Sequence, residues 1–257
     1  MSIQVEDGDW GNVRRGDIET VLTLVADTLL PDFPRHSAER VSVAFSSEGP
    51  SVLLGRSGNG AHRILLKVRD ARWDQFTYQF AHELCHVFTN YEHREVQPNT
   101  VVRDHQWFEE SLCEAVSLVA LSRMATSWER YPPHPYWKSY APAFRDYSQL
   151  LQSEQHRQLP PNETTAGWYR ANRETLERDP YLRGKNELLA TQLLPLLEAM
   201  PGGLASIGYL NSEATTPSGQ SFAAYLESWY SCCPEPDRRF VGQVIALLDG
   251  RTFSPDT

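Results

Sequence analysis

Apolar residues follow two different rhythms along the first half of the chain. From Asp17 to Leu30 they fall at Ile18, Val21, Leu22, Val25 and Leu29. That three-and-four spacing places them on one face of a helix, and Pro31 and Pro34 end it. Val41 to Phe45, Ser51 to Leu54 and Arg63 to Val68 are short, β-rich in composition and separated by Gly/Ser/Asn stretches such as Gly55-Arg-Ser-Gly-Asn-Gly60. They predict three strands of a small antiparallel sheet. The helical rhythm returns at Trp73 and holds through Thr89, then again from Gln106 to Ala125, with a polar loop containing Pro98 between the two.

After Trp128 prolines and aromatics dominate (Tyr131-Pro-Pro-His-Pro-Tyr-Trp137), which predicts an irregular crossing between lobes whose aromatics staple it to the core. Helices are expected near 140–152, 163–178, 185–199, 218–231 and 236–248, punctuated by Pro160-Pro161, Pro201-Gly-Gly203 and Pro234. No internal repeat or low-complexity tract appears. The sum is an α+β protein: a small antiparallel or mixed sheet, then a mainly helical lobe. Residues 1–16 read as an N-terminal segment and 17–257 as one domain, with a β-containing lobe at 17–90 and a helical lobe at 106–257.

Composition narrows the function classes. A chain of 257 residues that is 40% hydrophobic can bury a sizeable core. Its net charge of -9, with no lysine or arginine cluster, argues against nucleic acid and anionic membranes as partners. Residues 1–12 carry Glu6, Asp7 and Asp9 without a basic leader or an apolar stretch, and no later run is long enough to span a bilayer. A soluble, cytoplasmic protein is expected. Four cysteines form no CxxC pair and read as reduced thiols. Oligomeric state does not follow from any of these features.

One pentapeptide carries chemistry. His82-Glu83-Leu84-Cys85-His86 is H-E-x-x-H, set in a segment already helical by its flanks Phe76, Phe80, Leu84, Val87 and Phe88. Residues four apart on a helix share a face, so both imidazoles can reach one metal ion. Glu83 lies beside them and can take a proton there. Catalytic zinc is usually held by three side chains, so a third ligand is required.

Thr89 and Glu92 stand where a metzincin continuation needs Gly and His, which disfavours that class, and His93 and His105 remain as outsiders. The next helix offers Trp107-Phe-Glu-Glu-Ser-Leu-Cys-Glu-Ala115, where Glu110 and Glu114 share a face one turn apart. Acids on an otherwise apolar helix need a positive partner if buried. Zinc supplies one, with Glu110 as ligand and Glu114 accepting the free N–H of a ligating histidine. Glu109 can substitute for either.

These motifs resemble the gluzincin clan of zinc metallopeptidases. Its aminopeptidases carry W-L-x-E-G-x-A on the second helix, and its thermolysin-like members carry E-x-x-x-D. Aligning on Trp107 puts the clan's ligand glutamate on Glu110, with Ser111 replacing glycine and Glu114 replacing aspartate. The resemblance covers roughly residues 60–200 and implies a zincin-like fold with an active-site cleft between the sheet-bearing and helical lobes. It also implies an oxyanion-donating tyrosine, for which Tyr181, ahead of Leu-Arg-Gly184, is the candidate and Tyr169 and His156 the reserves. The aminopeptidases' G-x-M-x-N strand is absent, since the methionines are Met1, Met124 and Met200.

The activity implied is zinc-dependent hydrolysis of a peptide or protein substrate, endopeptidase or specialised peptidase rather than aminopeptidase, with Glu83 as general base and Zn2+ as cofactor. The strand Arg63–Val68, as an edge strand, would align an extended peptide by main-chain pairing, with Ile64-Leu-Leu66 contributing to the core. The alternative is a catalytically silent zincin-like domain that binds a peptide or partner protein. A structural zinc site fits poorly, because such sites favour four ligands and cysteine, and here only Cys85 and Cys113 lie on the relevant helices.

Overall fold

Ile3 and Val5 alternate with polar Ser2 and Gln4, and this stretch forms strand β1 (Ser2–Val5). Within the segment 1–16, residues 2–5 therefore belong to the sheet. A computed structural model describes residues 1–93, 96–97, 100–101, 104–200, 202–212 and 219–250. Pro98, Pro201, residue 218 and residues 251–257, all named in the expectations above, lie outside them.

Helix α1 (Arg15–Leu29) buries Ile18, Val21, Leu22, Val25 and Leu29, the face that the spacing singled out. It forms the crossover to β2 (Arg40–Phe45), which pairs parallel with β1, Ile3 opposite Val41. Strands β3 (Ser51–Leu53) and β4 (His62–Leu66) complete a four-stranded sheet in the order β1-β2-β4-β3. β4 runs parallel to β2 and antiparallel to β3.

Of the two arrangements expected, antiparallel or mixed, the sheet takes the mixed one, because α1 returns the chain to start β2 in the direction of β1. One expectation is corrected. β4 is no edge strand: residues 63–65 are paired on both sides, so its main chain is committed to β2 and β3. Ile64 and Leu66 are fully buried, in keeping with a core role.

Contacts divide the chain into two compact units, one of Met1–Phe88 with Val116–Leu151, the other of Thr89–Ala115 with Gln152–Thr257. The first holds the sheet, α1, helix α2 (Trp73–Phe88) and the C-terminal part of helix α3 (Gln106–Arg130). α1 and α2 pack on each other, α1 against β1 and α2 against β3 and β4. Phe33 stacks on Phe88 at 4.1 Å between ring centroids, and Trp10 packs on Phe45 and Phe76. α3 continues past Trp128, and the proline-aromatic segment that follows stays in this unit: Trp137 packs between Trp73 and Trp128, at 5.0 and 5.5 Å. That is the expected stapling. Helix α4 (Ala141–Ser153) follows, with Phe144 against Trp128.

The second unit holds the start of α3, a two-stranded antiparallel pair β5 (Val96–Gln97) and β6 (Thr100–Val101), and five further helices. These are α5 (Thr165–Arg178), α6 (Arg183–Ala199), α7 (Gly203–Ile207), α8 (Phe222–Cys232) and α9 (Glu235–Asp249). α5 and α8 begin at Thr164 and Ser221, whose hydroxyls accept backbone N–H groups of the first turn. An aromatic core of Trp107, Phe108, Tyr169, Phe222 and Trp229 binds the start of α3 to α5 and α8.

Candidate metal centre

α2 is anchored before it reaches its histidines. The Gln79 amide accepts from the Lys67 N–H at 2.9 Å and donates to the Lys67 carbonyl at 3.3 Å, fastening the helix to the chain that leaves β4. Phe76, Phe80, Leu84 and Phe88 are fully buried on its apolar face. One turn beyond Gln79, the His82 and His86 rings stand side by side with centroids 5.1 Å apart, as their spacing required. His86 and Glu83 are buried, and His82 is half-buried.

α3 is buried nearly all round from Trp107 to Leu121, so each of its acids needs a partner. Glu109 is 1% exposed; its Oε1 accepts from the Thr89 hydroxyl and its Oε2 from the Asn211 amide, both at 3.0 Å. Glu114 meets the Arg157 guanidinium at 2.9 Å. Burial pushes its carboxyl up to about 7, the loss of water outweighing the pull of Arg157. Glu110 receives a 3.3 Å hydrogen bond from Gln106 and groups with the histidines: one ligand atom each of His82, His86 and Glu110 lie within 4.8 Å of one another. Ligands of a single tetrahedral zinc, on bonds of about 2.1 Å, stand about 3.4 Å apart. The trio is within reach of one ion, and two imidazoles with a carboxylate are a donor set that zinc accepts. Ser111, in place of the clan's glycine, is absorbed by the helix, its hydroxyl donating to the Trp107 carbonyl at 2.8 Å.

The other histidines have different employment. His93 Nδ1 is 3.0 Å from the Asn211 carbonyl, and His105 Nε2 is 2.7 Å from that of Gln220. Tyr181 is half-exposed in the turn before α6. Tyr169 is buried against Trp107, and desolvation pushes its phenol well above the usual range.

A second group, Glu154, His156 and Glu187, is equally close-set. Here charge decides against a metal. Arg157 reaches Glu154 and Glu187 at 3.0 Å each, Arg183 reaches Glu187 at 2.7 Å, and His156 Nε2 lies 2.6 Å from Glu187. Two guanidiniums already neutralise these carboxylates, and an added dication would meet them. Nothing in the polar run Ser153-Glu-Gln-His-Arg157 marks Arg157 as wholly buried, and neither it nor Asn211 could be found from pattern alone.

No protein-family model matches the chain, and no curated protein matches it significantly. Among the described residues, no helix is long and apolar enough to cross a membrane.

Proposed function

We propose that the chain is a zinc-dependent peptidase with a zincin-like fold of the gluzincin type, holding its metal with His82, His86 and Glu110. The supporting observation is the convergence of those three donors, two from one turn of a buried helix and one from the helix that follows it in sequence. Bound there, zinc supplies Lewis acidity toward a peptide carbonyl and lowers the pKa of water. Glu83, adjacent to the first ligand and buried, serves as the proton carrier, taking a proton from the attacking water and delivering it to the departing amine. Tyr181, half-exposed, is retained as the candidate oxyanion donor. Without a G-x-M-x-N strand the reading is an endopeptidase or specialised peptidase rather than an aminopeptidase.

Metal analysis of the purified protein and of two variants tests this reading. Glu83→Gln should retain about one equivalent of zinc while losing casein and peptide cleavage by about 100-fold or more, the range for a lost general base. Glu110→Ala should lose the metal. Cleavage retained by a pure Glu83→Gln protein would sink the mechanism. Zinc bound by the parent with no cleavage of any peptide would instead indicate the silent, partner-binding domain.

A further inference from the structure

α2 ends at Phe88, two residues past His86, and α3 presents Glu109 immediately before Glu110. Between the chain leaving one helix and the start of the other stands Asn211, from a turn that follows α7, more than a hundred residues along the chain. Its amide nitrogen donates to the Thr89 carbonyl and to Glu109 Oε2, both at 3.0 Å, while its oxygen accepts from the Tyr225 hydroxyl at 2.9 Å. Thr89 closes the circuit through its hydroxyl to Glu109 Oε1. All four side chains are buried.

Only an amide offers two donors and an acceptor in one planar group, which is what these three partners require. Asn211 also holds φ at +52°, a left-handed conformation that asparagine tolerates better than most residues. The same turn clasps the chain beyond α2 again: the Asn90 amide donates to the Gly208 and Leu210 carbonyls at 3.1 and 2.8 Å, and His93 meets the Asn211 carbonyl.

We propose that Asn211 is a positioning residue for the metal centre. By joining Thr89 to Glu109, it fixes the chain that follows the histidine-bearing helix to the turn of α3 that carries Glu110. The inference rests on the metal reading above. Its physical basis is that a ligand set preorganised by buried, satisfied hydrogen bonds binds metal without first having to be assembled.

The informative substitution is Asn211→Gly, which keeps the left-handed backbone and deletes only the amide. Tyr225→Phe, which removes a single hydroxyl, accompanies it. Zinc affinity is measured on the full chain by competition with a chromophoric chelator, and coordination geometry from the visible bands of the cobalt(II)-substituted protein. Both are read at a temperature where circular dichroism shows each variant folded. Asn211→Gly should bind zinc about tenfold more weakly or worse, the usual cost of removing a group that orients metal ligands. Its cobalt bands should shift, and Tyr225→Phe should fall between it and the parent. Trp10→Ala, which destabilises the sheet-bearing unit, should leave affinity and bands unmoved.

An Asn211→Gly protein with the parent's affinity and spectrum would overturn the proposal, as would an equal loss of affinity in Trp10→Ala. If Asn211→Gly does not fold, Tyr225→Phe decides the matter by the same two readouts. A parent that binds neither metal overturns the metal reading, and this inference with it, whereas a loss confined to the comparison of variants leaves the metal reading intact.

Discussion

A guanidinium with no exposure to solvent is stable only where carboxylates surround it. Arg157 meets that condition through Glu114 on α3, Glu154 beside it and Glu187 on α6. Removing it leaves Glu114 and Glu187 buried beside one another's charge, with Arg183 in contact with Glu187 alone at the edge of the cluster. Arg157→Met is expected to cost about 3–5 kcal/mol, the penalty for breaking a buried pair from one side. Urea denaturation measures it, and a loss of about 1 kcal/mol or less, typical of an exposed ion pair, would show that the cluster carries little. The need for this arginine was half visible in the sequence. Two acids on an apolar helix announced that something positive must face them, but zinc was the only partner that pattern could suggest. Arg157 lies 43 residues from Glu114 in a run of polar residues that reads as solvated.

At the scale of elements, local rules performed well wherever an element satisfies itself. α1, α2 and the long helices of the second unit sit within a few residues of their expected limits, because a helix closes its hydrogen bonds within its own chain. The sheet was harder. The four residues of β1 offer too short an alternation to mark a strand, and the pattern leaves strand direction open because the same alternation suits parallel and antiparallel neighbours. The link from β1 to α1 depends on a close turn. Gly11 has φ +73°, and a Cβ there would lie 2.5 Å from Asp70 Oδ1 and 3.1 Å from the Asp70 nitrogen. Gly55, with φ +78°, has open space around it. Gly55→Ala should therefore cost about 1–2 kcal/mol, the left-handed penalty alone. Gly11→Ala should cost measurably more, because the clash adds to it. Chemical denaturation of the two variants makes the comparison, and equal losses would show that the Gly11 contact relaxes freely.

For the whole molecule, the metal reading makes a thermodynamic demand, since a ligand that binds only the folded chain must stabilise it by mass action. Free zinc at about 100 times its dissociation constant should add about 2.7 kcal/mol, raising the thermal midpoint, and a chelator should reverse the rise. Glu110→Ala should abolish the response while leaving the metal-free midpoint near that of the parent. A parent midpoint indifferent to zinc and chelator alike would count against the site. What the sequence determined by itself were the features carried by near neighbours: the helices, the pairing of His82 with His86 on one face, and the presence of nearby acids on the next helix. Those follow from a helical repeat that acts over a single turn. Only the tertiary structure decided how the three acids divide, Glu109 toward Thr89 and Asn211, Glu114 toward Arg157, and Glu110 toward the histidines. Glu109 and Glu110 differ by a rotation about the helix axis and Glu110 and Glu114 by one turn along it, and what meets each arrives from chain 20 to 102 residues away.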